Sequence, residues 1–158
     1  MARYSFLTTW GVAAPREEVW EVIHATERWP EWWRGVRVAE LVERGEPIGV
    51  GSTHRYVWRS LLPYDIEFTM RTQRVEPPRL LEGAADGDLR GTGRWRLWDD
   101  GAGATAVTYE WDVETTVAWM NAVAPFARPI FRFSHDHVMR SGGHGLARLL
   151  GARLLFAR

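Results

Sequence analysis

Ala13 to Val36, AAPREEVWEVIHATERWPEWWRGV, decides the fold, because it holds two short helix patterns between two strand-like runs. Pro15 suits the first position of a helix, and Val19 begins an apolar face at helical spacing. Pro30 then opens a second short helix, with Gly35 as a plausible stop. Four of the ten tryptophans lie in this stretch. We therefore expect a large apolar surface near the N-terminus and a sheet curved enough to accept it.

Strand patterns flank this helix pair on both sides. A first strand is predicted from Tyr4 to Val12, where aromatic and β-branched residues are frequent. Six more are predicted at 36–44, 51–60, 64–76, 79–86, 90–98 and 104–117. Short gaps rich in Gly, Pro and Asp divide them, which favours antiparallel hairpins over βαβ crossovers.

Strict alternation in two of these runs predicts a sheet with one apolar and one polar face. In 64–71 and in 107–114, apolar residues occupy every second position and polar residues the others. The turn at 99–103 also predicts the register of the last hairpin. The predicted pairs are Trp98 with Ala106, Trp95 with Tyr109, Arg94 with Glu110 and Gly93 with Trp111.

A long C-terminal helix is predicted from residue 129 or 130 to about Leu155. Pro125 and Pro129 predict an interruption before it. Its apolar stripe comprises Phe131, His135, Val138, Gly142, Leu146 and Leu149. The glycines at 142, 143 and 145 indicate either room for a ligand or for the sheet, or a break near Ser141–Gly143. A sheet with one face to cover requires this helix as its cover.

The composition excludes several classes of protein. The chain has no cysteine, which rules out disulfides, thiolate metal sites and cysteine nucleophiles, and all 20 basic residues are arginine, which rules out a lysine Schiff base. Its formal charge of zero argues against nucleic-acid binding. No apolar run is long enough for a membrane span or a signal peptide, so we expect a cytoplasmic protein without stable membrane insertion. The length fits a single domain, residues 1–158.

The order of elements resembles the Bet v 1-like, START-related SRPBCC superfamily, and within it the polyketide cyclase/dehydrase-like family. The resemblance covers nearly the whole chain and is carried by Ala14–Trp20, Trp29–Trp33, Gly49–Gly51, Gly87–Leu89 and Gly103–Thr105. It implies an α+β helix-grip fold, in which a seven-stranded curved antiparallel sheet with two short helices wraps around a long C-terminal helix and leaves an apolar cavity. Members bind lipids, sterols, polyketides, plant hormones or quinones, and a minority are enzymes. The fold alone does not decide among these functions.

His135 is the main candidate for chemistry. On the apolar stripe of the last helix it could bind a ligand carbonyl or act as a general acid or base, and it is the candidate catalytic residue. The alternative is a core histidine whose ring nitrogens are satisfied by a tyrosine or a backbone carbonyl. His135-Asp136-His137 resembles a metal motif, but residues two apart on a helix point about 200° apart. No metal and no cofactor are therefore predicted.

Inward-facing aromatic and apolar residues form the predicted ligand-binding set, although a filled core would use the same residues. The set comprises Tyr56, Trp58, Phe68, Met70, Trp95, Tyr109, Trp111, Phe131, His135 and Val138. The apolar stretch Val117–Phe126 is interpreted as a connection packed on the sheet edge, with a cavity lip or a membrane-contacting patch as the alternatives.

Three functions remain open at this point. The first is binding of a small hydrophobic molecule such as a polyketide, fatty acid or isoprenoid, with or without weak catalysis. The second is a polyketide aromatase/cyclase that performs aldol condensation and dehydration. The third is a protein-interaction module that uses the same groove. The sequence leaves the ligand and the oligomeric state, monomer or homodimer, undetermined.

Overall fold

One long helix covers the inner face of an eight-stranded antiparallel sheet in the computed structural model, which describes residues Met1 to Arg158. The strands are β1 (Arg3–Val12), β2 (Val36–Glu43), β3 (Thr53–Arg59), β4 (Asp65–Glu76), β5 (Leu80–Gly87), β6 (Leu89–Asp99), β7 (Thr105–Thr115) and β8 (Leu154–Ala157). The helices are α1 (Arg16–His24), α2 (Trp29–Trp32) and α3 (Ala118–Leu150), and a 3₁₀ turn at Thr26–Arg28 joins α1 to α2. The strand order is β2-β3-β4-β5-β6-β7-β1-β8. This arrangement confirms the predicted α+β helix-grip fold.

The eighth strand is a correction to the seven predicted. The expected helix to about Leu155 ends instead at Leu150, because Gly151 adopts a left-handed conformation (φ 60°) and its N–H closes the last turn on the carbonyls of Ala147 and Arg148. The chain then turns back and pairs with the free edge of β1, where Phe156 lies opposite Gly11. A Cβ at Gly11 would lie 2.8 Å from Phe156 Cδ1, so the missing side chain makes room for this ring.

The start of α3 is a second correction. The helix begins at Ala118 and continues through Pro125 and Pro129, although the two prolines predict an interruption there. Each proline removes one backbone donor. This half of α3 is largely exposed, so water can reach the carbonyls that lose their partner. The stretch Val117–Phe126 is therefore mostly the first turns of α3 and not a connection.

Two of the glycines of α3 make room for tryptophan rings. The helix continues through all three glycines without a break. A Cβ at Gly142 would lie 2.7 Å from Trp33 Cζ2, and one at Gly143 would lie 3.0 Å from Trp10 Cδ1. Trp33 Nε1 also donates to the Val138 carbonyl at 2.9 Å. Trp10 and Trp33 are almost fully buried, so Trp10 packs β1 against α3, and Trp33 packs the end of α2 against α3. Leu149 is a correction: it is 49% exposed and leaves the predicted stripe.

The register of the last hairpin is confirmed. The four predicted pairs all occur between β6 and β7: Trp98 with Ala106, Trp95 with Tyr109, Arg94 with Glu110, and Gly93 with Trp111. On the inner face, the Trp111 ring covers Gly93, where a Cβ would lie 3.0 Å from Trp111 Cε3. None of the three helices is both long enough and apolar enough to cross a bilayer.

Candidate functional site

The space between α3 and the sheet contains a small apolar cavity, which we call the α3 cavity. Its volume is about 100 Å³, and its wall is almost entirely apolar. The residues that line it are Trp58, Ser60, Ile66, Phe68, Leu89, Tyr109, Trp111, His135, Val138 and Met139. They come from the inner faces of β3, β4, β6 and β7, from the residue that follows β3, and from the middle of α3, so the cavity requires the complete fold.

A second space, the aromatic cavity, lies deeper between α2 and the sheet. Its volume is about 50 Å³. It is lined by Thr26, Trp29, Tyr56, Trp58, Phe68, Met70, Thr72, Leu81, Glu82, Gly83, Gly93, Trp95 and Tyr109. Trp58, Phe68 and Tyr109 border both cavities and form the wall between them. Movement of these three side chains would join the two spaces.

The predicted ligand-binding residues fall into three groups. Tyr56, Met70 and Trp95 border the aromatic cavity, and Trp111, His135 and Val138 border the α3 cavity. Trp58, Phe68 and Tyr109 form the shared wall. Phe131 borders neither space and packs edge-on against Tyr4, with ring centroids 5.9 Å apart. The structure thus brings nine of the ten residues to the two cavities.

His135 lies between β1 and the α3 cavity. Its ring stacks on Phe6, with centroids 3.9 Å apart and an interplanar angle of 12°. Burial lowers its pKa below the ordinary value, although the neighbouring Asp136 carboxylate opposes the shift. His135 is therefore a neutral imidazole near pH 7.

The two ring nitrogens of His135 have different surroundings. Nδ1 lies 3.4 Å from Asp136 Oδ1, a long contact that favours the tautomer with the proton on Nδ1. Nε2 is buried and has no hydrogen-bond partner in the protein. In this tautomer Nε2 is an unpartnered acceptor on a residue that lines the α3 cavity. It could accept a hydrogen bond from a hydroxyl group or remove a proton from an acidic carbon.

Trp58 supplies the complementary donor. Its Nε1–H is buried without a partner, and the side chain borders both cavities. A buried polar group without a partner costs about 1–3 kcal/mol relative to a satisfied one. A ligand that bonds to Trp58 Nε1 and His135 Nε2 would recover part of that cost.

Burial also fixes the protonation state of two tyrosines near the cavities. Burial raises the pKa of Tyr56 and Tyr109 well above the ordinary tyrosine value, so both remain protonated at neutral pH. Glu82 borders the aromatic cavity, but its carboxylate accepts a 2.7 Å hydrogen bond from Arg94 Nε on the outer face. Among the residues that line the α3 cavity, only His135 can accept and release a proton near neutral pH.

Several wall residues were not predicted. Ser60 and Leu89 lie at strand ends, Met139 follows Val138 on α3, and Ile66 continues the inward alternation of β4. The alternation of side chains along β4 marks Ile66 as inward-facing. The alternation along β1 does the same for Phe6. The spacing of the sequence carries no signal for Ser60 or Leu89, because their position depends on how far the sheet curves. Trp29, in the tryptophan-rich stretch, is buried and also borders the aromatic cavity.

Comparison with known proteins supports the same fold. The chain is similar to the Zhui aromatase/cyclase from Streptomyces sp. R1128, with 18% identity, a TM-score of 0.75 and coverage of 92% of both chains. It is also similar to a START superfamily protein from Mycobacterium smegmatis, with 16% identity and a TM-score of 0.71, over 92% of this chain and 94% of the other. Identities this low establish a shared fold and leave the activity open. No curated protein sequence matches the chain.

The family is shown by its sequence model. The model described as polyketide cyclase/dehydrase and lipid transport matches residues 5–150, which run from within β1 to the end of α3. That description covers both chemistry on polyketides and the carrying of lipids, which are the two uses of an apolar cavity considered above. The chain belongs to the polyketide cyclase/dehydrase and lipid transport family.

Proposed function

We propose that the protein binds a small hydrophobic molecule that carries a hydroxyl group, and that it does so in the α3 cavity. The observation that carries the proposal is the pairing of an apolar wall with two buried, unpartnered nitrogens, Trp58 Nε1 and His135 Nε2. Apolar burial would supply most of the affinity, at about 25 cal/mol per Å² of buried surface. The two nitrogens would orient the polar end of the ligand.

The cavity volume limits the size of the ligand. An apolar cavity of about 150 Å³ accommodates benzene. The α3 cavity, at about 100 Å³, is smaller than that, so a single ring is the largest group that it can take, and its wall must move slightly to do so. A longer molecule would have to displace the shared wall of Trp58, Phe68 and Tyr109 and extend into the aromatic cavity. Because that wall borders open space on both sides, we expect single-ring ligands to bind with a small rearrangement and long ligands to bind more slowly.

Phenol and toluene form a suitable pair of test ligands, because they have similar size and differ in the hydroxyl group. Binding is followed by NMR of the tryptophan Nε1–H signals in ¹⁵N-labelled protein, with the Trp58 signal assigned from the variant Trp58→Phe. The proposal predicts saturable binding of phenol, a large shift of the Trp58 signal, and weaker binding of toluene.

Matched variants separate the cavity from the surface. His135→Phe should weaken phenol binding about five- to tenfold and leave toluene binding nearly unchanged, because one hydrogen bond is lost. The control is His137→Phe, two residues along α3 on its exposed side, which should have no effect. Equal binding of phenol by both variants would contradict the proposed role of His135.

Cyclisation of a short polyketone is the second candidate, and the unpartnered His135 Nε2 favours it. A neutral imidazole in an apolar wall can remove a proton from the terminal methyl carbon next to a carbonyl, whose attack on the far carbonyl closes a six-membered ring, and the cavity would hold the chain ends together. The test substrate is 2,4,6-heptanetrione, which forms orcinol by aldol condensation with loss of one water. Formation of orcinol that is faster than in buffer and abolished in His135→Phe would support catalysis. A rate equal to buffer would leave binding as the function.

A further inference from the structure

A cleft rich in arginine lies at the opposite end of the sheet from the α3 cavity. We call it the arginine cleft; its volume is about 320 Å³. It is lined by Arg16, Arg74, Glu76, Arg79, Leu80, Arg96, Leu97 and Trp98. Ile66 borders the α3 cavity, Arg74 borders the arginine cleft, and both residues are on β4. Eight residues of strand separate them, which corresponds to roughly 25 Å. The two sites share no residue.

The charges in this cleft do not balance. Four arginines face one carboxylate, that of Glu76. Its two oxygens are each taken by one arginine, Arg74 Nη2 at 3.0 Å and Arg79 Nη2 at 3.3 Å. Neither Arg16 nor Arg96 has a carboxylate within ion-pair distance. The cleft is therefore strongly positive, although the chain as a whole is neutral.

Two arginines elsewhere on the sheet show the opposite ratio. Arg94 lies between the carboxylates of Glu82 and Glu110, at 2.7 and 3.0 Å. Arg55 likewise binds both Glu40 and Glu67. In these ladders each guanidinium has two carboxylates, whereas in the arginine cleft four guanidiniums share one.

Arg16 adds an unsatisfied donor to the cleft. It is the first residue of α1, and its Nε is buried without a hydrogen-bond partner in the protein. A buried charged donor without a partner is costly, and an anion that reached it would remove that cost. The planar guanidinium fork suits oxyanions such as phosphate, which accept two parallel hydrogen bonds from it.

We propose that the arginine cleft binds the phosphate group of a small phosphorylated molecule. Arg16 and Arg96 are the primary contacts, and Arg74 and Arg79, already held by Glu76, complete the positive wall. Phosphate fits better than carboxylate because it carries up to two negative charges and more acceptor oxygens. Trp98 is 52% exposed beside these arginines and offers an apolar ring to the organic part of a phosphate ester.

Titration with inorganic phosphate and with phenyl phosphate tests the site. Binding is followed by the NMR signals of Trp98 Nε1–H and of the arginine Nε–H groups, at constant ionic strength and up to tens of millimolar ligand. Saturable shifts confined to the arginine cleft are expected. Tighter binding of phenyl phosphate would identify an organic ester as the ligand class, and equal binding would identify the phosphate group alone; both support the site.

Four variants distinguish a specific site from a general charge effect. Arg16→Gln and Arg96→Gln should each weaken binding about tenfold, because each removes a charge-assisted contact. Glu76→Gln should strengthen binding, because it removes the carboxylate that competes with phosphate for Arg74 and Arg79. Arg37→Gln, an exposed arginine of β2 outside the cleft, removes the same charge and should have no effect.

Three results would overturn the proposal. The first is the absence of a saturable shift in the native protein. The second is equal weakening by Arg37→Gln and Arg16→Gln, since binding would then depend on total charge alone. The third is unchanged binding in both cleft variants, Arg16→Gln and Arg96→Gln. A variant that unfolds is recognised by the loss of dispersed NMR signals, and Glu76→Gln then still tests the site through its opposite expected sign.

Discussion

The indole of Trp33 lies directly against the bare Cα of Gly142, at the point where α2 meets α3. A Cβ on Gly142 would approach Trp33 Nε1 to 2.7 Å, and the same Nε1 donates to the Val138 carbonyl one turn earlier. The side chain of Trp33 is 1% exposed, so it has no free space into which to move. This contact fixes the distance between α3 and the end of α2, one turn from Val138 in the wall of the α3 cavity.

Gly142→Ala is therefore expected to destabilise the protein although alanine favours helices. Overpacking of a filled core costs about 1–3 kcal/mol, against a helix-propensity gain of about 1 kcal/mol. We predict a net loss in the free energy of unfolding, measured by urea denaturation. His144→Ala, an exposed position two residues along the helix, is the control and should change stability little. Greater stability of Gly142→Ala would show that Trp33 can move away.

Neighbouring positions on β6 should respond in opposite ways. Gly93→Ala would bring a Cβ to 2.6 Å from Tyr109 Oη, between two packed rings, and should cost about 1–3 kcal/mol. Arg94→Ala, on the outer face, removes two ion pairs from a side chain that is 36% exposed, and should cost less than about 1 kcal/mol. Urea denaturation of the two variants tests this order. A larger loss from Arg94→Ala would mean that the outer ladder, and not the inner packing, stabilises this hairpin.

The buried His135 predicts how phenol binding depends on pH. Its pKa is lowered in the folded protein, so Nε2 remains a free acceptor through neutral pH and becomes protonated only below the ordinary histidine value of about 6.5. Phenol affinity should be constant from pH 7 to 8 and fall as the pH drops through the folded-state pKa. His135→Phe should show no such fall, and His137→Phe should retain it. Equal pH dependence of phenol affinity in all three proteins would show that His135 is not the group that accepts the hydrogen bond from phenol.

The lowered pKa of His135 also makes the stability of the folded protein sensitive to acid. A histidine with a lowered folded-state pKa contributes stability that is present above the unfolded value and is lost as the pH falls through the folded value. His135→Phe should therefore lose less stability than the native protein between pH 7 and 5, as measured by thermal unfolding. A steeper loss in the variant would mean that His135 is not buried in its neutral form.

Ionisation of the tyrosines at high pH tests whether their side chains are buried. Burial raises the pKa of all four tyrosines, and that of Tyr64 to about 12. Folded protein should show little phenolate absorbance at pH 10, where half of the tyrosines of an unfolded chain are ionised. Because a raised folded-state pKa stabilises the fold only below it, stability should decrease as the pH rises above 10. A phenolate midpoint near 10 with native circular dichroism would contradict the buried placement.

The strands and their register were predictable because their signal is local. Alternation in β4 and β7 identifies the inner face, and the turn at 99–103 places Trp95 opposite Tyr109 without any tertiary information. The ends of α3 were not predictable in this way. Its passage through Pro125 and Pro129 depends on solvent exposure, and the strand at Leu154–Ala157 depends on the free edge of β1.

The candidate site was predictable only in part for the same reason. The alternation of side chains along β3 and β4 places Trp58 and Phe68 on the inner face, but it does not distinguish a cavity wall from a filled core. Phe131 illustrates the limit: it lies on the predicted stripe of α3, yet it packs on Tyr4 away from both cavities. A cavity is the space left when all side chains are placed, so its wall depends on residues such as Ser60 and Leu89 that no periodic pattern marks.

A crystal structure of the protein grown with 4-bromophenol tests binding in the α3 cavity, because the anomalous signal of bromine locates the ligand without ambiguity. We expect one ordered bromine between α3 and the sheet, with the phenol oxygen within hydrogen-bond distance of His135 Nε2. A bromine bound only outside the α3 cavity, with Trp58 and His135 unchanged, would show that the cavity does not bind the ligand.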